Sequence, residues 1–180
     1  MLYWFEFAGT AVFAGKRRIG HIENIMLEPD KKVITGFLLE KRNRDLWPRF
    51  FKFSQIQTIE ADSIKLKDTP QIEMLSGAAR KNYILAEDFI NHSILDEKGE
   101  WIGRVVDFAF NPTNGILKEM IISAGLLDDI WHGRKSMPVL SNVEFSRELI
   151  HIDQEIKEEI SSLDKGLKNW LDREKIPKNQ

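Results

Sequence analysis

The apolar outline of residues 19–40 recurs at residues 102–123. A shift of 83 positions aligns the two stretches without a gap and superimposes Ile22/Val105, Ile25/Phe108, Leu27/Phe110, Val33/Ile116, Ile34/Leu117, Phe37/Met120, Leu38/Ile121 and Leu39/Ile122. Identity is confined to Ile19/Ile102, Gly20/Gly103 and Pro29/Pro112, while Asn24/Asp107 are both polar. The same shift lays Ala11-Val12 over Ile94-Leu95, and Asp45-Leu46-Trp47 matches Asp129-Ile130-Trp131 with one residue added. The halves also end alike, in SQIQTIEADSIKLKD and SNVEFSRELIHIDQ. Matches in this order read as one structural unit copied within the chain.

Each copy predicts strands. Val106, Phe108 and Phe110 repeat with period two, as do the matching positions Glu23, Ile25 and Leu27, and that period belongs to a half-buried strand. Pro29-Asp30 and Pro112-Thr113-Asn114-Gly115 are turn sequences. Residues 33–39 and 116–122 are rich in β-branched and bulky apolar side chains and predict the return strands. The phase slips just after Gly20 and Gly103, which predicts a bulge or sharp bend. Short strands at 50–53, 64–67, 137–140 and 149–152 complete the units. Between them, Ile72 to Arg80 predicts one or two helical turns. Beyond the second unit, Ile156, Ile160, Leu163, Leu167 and Trp170 fall at helical spacing, with acids early and bases late, as the helix dipole favours. This apolar stripe either docks on a β unit or pairs with a partner helix; its polar face is not basic enough for a membrane surface. The expected organisation is a repeat over 1–67, a connector over 68–87, a repeat over 88–153, a helix over 154–175 and a disordered tail at 176–180.

The run Gly99-Glu100-Trp101-Ile102-Gly103-Arg104-Val105-Val106-Asp107-Phe108, followed by an apolar return strand, resembles the PRC-barrel, named after the cytoplasmic part of the photosynthetic reaction-centre H subunit. Lys16-Arg17-Arg18-Ile19-Gly20-His21-Ile22-Glu23-Asn24-Ile25 is the weaker match, with asparagine for the aspartate. The resemblance covers roughly residues 5–67 and 88–153. It implies a mainly β protein of two tandem small PRC-type β-barrels with a C-terminal amphipathic α-helix. It also implies an interaction module, since the family brings no catalytic motif. Its members include the H subunit, the C-terminal domain of a ribosome maturation factor and many stand-alone bacterial and archaeal proteins.

Composition narrows this reading. The chain has 180 residues, 42% hydrophobic and 30% charged, which suits a globular protein. The formal net charge of −2 disfavours a general polyanion binder. Residues 1–67 nevertheless hold 12 basic and 8 acidic side chains, and residues 68–180 hold 14 and 20. The basic half could meet an anionic partner or the acidic half of a second copy. The absence of cysteine rules out disulfides and thiol chemistry and fits a reducing compartment. The greasy start MLYWFEFAGTAVFAG lacks a basic leader and carries Glu6, and it is too short to span a bilayer; a cytoplasmic protein is expected.

No nucleophile, phosphate-loop or dinucleotide motif occurs, so neither an enzyme, a cofactor nor a small-molecule substrate is expected. His21 and His151 fall in predicted strands. His132 follows Asp128 and Asp129 in what reads as a loop, without a third ligand, so no metal is expected. Asp107 is expected to bond backbone at the strand bend. The candidate surface is KRNRDLWPRFFKF, residues 41–53, where Arg42, Arg44 and Arg49 stand beside Trp47; its counterpart carries Trp131 and His132. Guanidinium groups beside rings suit phosphates and bases or a lipid interface. Alternatively the segment is a hairpin loop whose tryptophan caps the unit. The partners expected are an unidentified protein and a second copy, with RNA or an anionic membrane surface as the rivals.

Overall fold

The computed structural model describes residues 1–43 and 45–163. The chain divides into two compact units. The first comprises Met1–Phe89 and Ala109–Lys118, the second Ile90–Phe108 and Glu119 onward.

The first unit contains strands β1 (Leu2–Tyr3), β2 (Ala11–Ala14), β3 (Arg17–Glu28), β4 (Val33–Leu39), β5 (Arg49–Lys52), β6 (Ile56–Ile59), β7 (Ser63–Leu66) and β8 (Glu73–Met74). Short helices α1 (Trp4–Phe7), α2 (Gly77–Arg80) and α3 (Ala86–Phe89) accompany them. The second contains β9 (Ser93–Asp96), β10 (Trp101–Phe110), β11 (Leu117–Ser123), β12 (Lys135–Pro138), β13 (Glu144–Phe145), β14 (Leu149–Ile152) and β15 (Ser161–Ser162), with α4 (Leu126–His132) and α5 (Gln154–Glu159). The turn joining β10 and β11 lies within residues 109–118 and so belongs to the first unit.

The strand orders are β6-β7-β2-β3-β4-β5-β8 and β13-β14-β9-β10-β11-β12-β15. These are the same order written twice. In both, a parallel pairing joins corresponding strands, β2 with β7 and β9 with β14. Neither path closes on its first strand among the described residues. The fold is therefore mainly β with two open sheets, and the closed barrels expected from the family resemblance are not seen.

The expected bends are present. Val12 pairs with Gly20 but Phe13 pairs with Arg18, which leaves Ile19 as an extra residue in β3. Trp101 pairs with Leu95 and Gly103 with Ile94, which leaves Ile102 as the extra residue in β10. Both are β-bulges, at positions related by the same shift of 83. At Gly103 a Cβ would collide with the Ile122 side chain and stand 2.9 Å from the Ser123 carbonyl oxygen, so a glycine is required there. Beyond each bulge a polar side chain bonds the next amide: Asn24 Oδ1 accepts from Ile25 N at 3.0 Å and Asp107 Oδ1 from Phe108 N at 2.8 Å. Asn24 Oδ1 also accepts from Ala86 N at 2.6 Å, which fastens the start of α3 to β3.

The first unit's core explains why β3 and β4 read as continuous apolar runs. One cluster of rings sets Phe37 against Phe7, Phe51 and Phe53, with centroids 5.2 to 5.7 Å apart, and Phe110 stands edge-on to Phe7. Met26, Leu38 and Phe50 instead meet Leu75 and Leu85, with Ala79 and Tyr83 packed alongside. The connector thus covers a face of the sheet, and burial on both faces removes the alternation expected of a one-sided strand. Its helical turn is present as α2, capped by Ser76 Oγ, which accepts from Ala79 N.

The C-terminal helix differs from its expected span of 154–175. α5 starts as expected, with Asp153 as N-cap accepting from Ile156 N, but Ile160 is already extended and Ser161–Ser162 pairs with β12. Serine favours helix interiors weakly, and the edge of β12 offers its backbone another partner. The remainder of the expected helix, with Leu167 and Trp170, and the tail at 176–180 lie outside the described residues.

Candidate functional site

The Asp-aliphatic-Trp sequence occupies the connection after β4 in the first unit and after its counterpart β11 in the second, and in both the aspartate turns inward. In the first unit the loop runs from Glu40 to Pro48. Asp45 Oδ2 accepts from Arg42 N at 3.1 Å and from Arg49 Nε at 2.9 Å. Arg49 Nη2 donates to Glu40 O at 3.2 Å and Arg42 Nη2 to Ile19 O at 2.6 Å. Ile19 is the bulged residue, so its carbonyl is free of the ladder and available to the guanidinium. The Arg42 amide, then the Arg49 guanidinium, hold the Asp45 carboxyl below its ordinary range. Arg49 retains 11% side-chain exposure. His21 Nδ1 lies 3.0 Å from Glu40 Oε2 beside this network.

This anchoring decides what the loop shows to solvent. Leu46 is 85% exposed and Trp47 48%, with the inner edge of the Trp47 ring against Gly77. Of the arginines expected to form a phosphate-binding surface, Arg42 and Arg49 are committed to fastening the loop, and Arg44 lies outside the described residues.

In the second unit the corresponding connection is the helix α4, where the sequence reads as a loop. Its boundaries are set by Gly125 and Gly133, at φ 116° and 83°, conformations that glycine adopts without strain. Ser123 Oγ donates to Asp129 Oδ2 at 2.7 Å and accepts from Gly125 N at 3.2 Å. Asp128 Oδ1 lies 2.9 Å from His132 Nδ1, and its Oδ2 is 3.3 Å from Lys135 Nζ. Burial raises the Asp128 pKa, but the His132 and Lys135 contacts outweigh it and leave the carboxyl below its ordinary range.

The polar side of α4 is therefore the inner one. Leu126, Leu127, Ile130 and Trp131 are 75%, 83%, 47% and 47% exposed. That reverses the usual arrangement of a surface helix, whose apolar stripe faces the core. Trp47 and Trp131 thus hold the same place in their respective units. His132, the last helical residue, serves Asp128.

Among the described residues no three His, Cys, Asp or Glu side chains converge as metal ligands. A groove of about 350 Å³ in the second unit is lined by Trp101, Lys135, Lys157, Ile160 and Ser161–Ser162. Its lysines are already paired, Lys157 with Asp96 at 2.6 Å and Lys135 with Asp128. No helix among the described residues is long and apolar enough to cross a membrane. No protein-family model matches the chain, and no curated protein matches it.

Sequence reasoning found Trp47 and Trp131 through the repeat but missed the exposed leucines of α4 and the inward role of both aspartates. The spacing of Asp45 and Arg49, four residues apart, was the available signal for the first network.

Proposed function

We propose that the chain is a non-enzymatic protein-interaction module of the cytoplasm, built from two tandem copies of an open, PRC-like β unit, that binds a protein partner or a second copy of itself. The observation that carries this reading is the shared inversion: each unit fastens an aspartate inward and leaves an aliphatic side chain and a tryptophan in solvent. Exposed tryptophans beside aliphatic groups are what protein interfaces use as anchors, and truncating one costs about 2 kcal/mol or more, roughly 30-fold in affinity. The rival RNA reading draws on the 41–53 arginines. It loses support because Arg42 and Arg49 already donate to backbone carbonyls and to Asp45. An anionic membrane surface draws on the same charges and is weakened equally.

The test uses the full chain with Leu46→Ser/Trp47→Ser and with Ile130→Ser/Trp131→Ser. Sedimentation reports self-association, and chemical crosslinking followed by affinity capture reports other partners. The reading expects at least one pair to weaken a specific association by about 30-fold or more while thermal unfolding stays unchanged. A chain that is monomeric and captures nothing specific, or an association indifferent to both pairs, contradicts it.

A further inference from the structure

We infer that the outer face of the first unit's sheet, at the end where β2 turns into β3, binds a short acidic segment of another protein. This is a second contact surface, separate in its residues from the tryptophan loops. Phe13 stands at its centre. It pairs with Arg18 of β3 on one side and with Lys65 of β7 on the other, and Thr58 of β6 stands opposite Lys65. Residues directly opposite on neighbouring strands share a face of the sheet, so Arg18, Phe13, Lys65 and Thr58 form one row across four strands. Val12 and Ile64, one step back along β2 and β7, are fully buried, which makes the face of that row the outer one. Arg18, Lys65 and Thr58 are exposed, and Phe13 is half-buried between its two cations.

More positive charge gathers at the same end. Lys16 lies in the turn between β2 and β3, Arg17 opens β3 opposite Ala14, and Lys67 follows Leu66, which also stands opposite Ala14. All three are exposed. Among the described residues Lys16, Arg17, Arg18 and Lys67 have no acidic partner, whereas Lys31, Arg49 and Lys52 of the same unit each hold a carboxylate. Lys65 is paired with Glu60. Like charges gathered in this way repel one another and attract an anion. The fold does not require them. In the corresponding row of the second unit Leu95 stands opposite Trp101 and His151, and Glu144 opposite His151.

The row suits a peptide better than a nucleic acid. Sites for single strands stack successive bases on open rings, and this row offers one ring, half-buried. The formal charge of the whole chain, −2, opposes a long polyanion but not a segment short enough to meet this end alone.

The test is fluorescence anisotropy of a labelled decaglutamate peptide titrated with the full chain at low salt. The expected result is saturable binding that weakens as salt is added and is about tenfold or more weaker with Arg17→Glu/Arg18→Glu. Lys16→Gln/Lys67→Gln, outside the strand residues, should weaken it too, which covers any disturbance of β3 by the new glutamates. Lys98→Glu/Lys118→Glu replaces two exposed cations elsewhere, changes the net charge by the same amount as the Arg17/Arg18 pair, and should leave the affinity unchanged. A labelled decauridylate RNA should bind more weakly than the peptide. No saturable peptide binding at low salt overturns the inference. So does an equal loss in the Lys98/Lys118 control, or tighter binding of the RNA. Leu46 and Trp47 are intact in every variant, so failure here leaves the tryptophan-loop reading standing, and this measurement can succeed when partner capture fails.

Discussion

Asp45 and Asp129 show how one side chain's direction decides what its neighbours do. Each is a carboxylate anchored through its Oδ2 on the inner side of its loop, Asp45 by Arg42 N and Arg49, Asp129 by Ser123 Oγ. The two residues that follow are then left outward. Asp45→Ala removes the acceptor for both Arg42 N and Arg49. The expected outcome is faster limited proteolysis between residues 40 and 48 with little change at the second unit, mapped by mass spectrometry. Phe37, fully buried among Phe7, Phe51 and Phe53, answers for the first unit's core. Phe37→Ala should cost about 3–5 kcal/mol in urea unfolding, as other buried phenylalanines do. Gly115 at φ +73°, where a Cβ would stand 2.5 Å from the Ile34 carbonyl oxygen, allows no side chain without displacing a strand.

The strands were legible where side-chain burial writes the pattern and illegible where backbone pairing does. Residues 33–39 and 149–152 were read correctly because β-branched and aromatic residues crowd into them. The bulges announced themselves through a glycine and a slipped phase. β8 and β15 are two-residue edges held by pairing to β5 and β12, and no apolar rhythm marks them. α4 escaped because helix prediction looks for an apolar face turned inward, and here Ser123 and Lys135 draw the acids in instead. The site was legible to the same extent: the duplicated tryptophans stood out, whereas the Arg42 and Arg49 bonds depend on a carbonyl exposed by the Ile19 bulge. Removing the α4 anchor tests this account of the helix. Ser123→Ala leaves Asp129 Oδ2 without its hydroxyl donor and should cost about 1–2 kcal/mol locally. Amide hydrogen exchange is expected to accelerate across residues 126–132 and to stay unchanged in β14.

Taken whole, the chain is one β design used twice, with its ion pairs spread over both units. In the second, Lys157 Nζ reaches Asp96 Oδ2 at 2.6 Å and ties α5 to the turn between β9 and β10. The Lys157 hydrogen bond holds the Asp96 carboxyl below its ordinary range, and the same bond raises the Lys157 pKa. A lowered folded pKa means the folded state binds fewer protons. That stability is present above the ordinary carboxyl value of about 3.9 and is lost as pH falls through the lower folded value. The lysine's share is present below its ordinary value of about 10.4 and is lost as pH rises through the raised one. Asp96→Asn should therefore flatten the acid limb of stability against pH, measured as the urea midpoint between neutrality and pH 3. The functional claim has its own direct test, site-specific photo-crosslinking in native cells from a benzophenone amino acid at position 47, with position 62 as an exposed control in the same unit. The account predicts a discrete protein adduct from position 47 that is absent from position 62. Adducts to nucleic acid, no adduct at all, or the same adducts from both positions would contradict it.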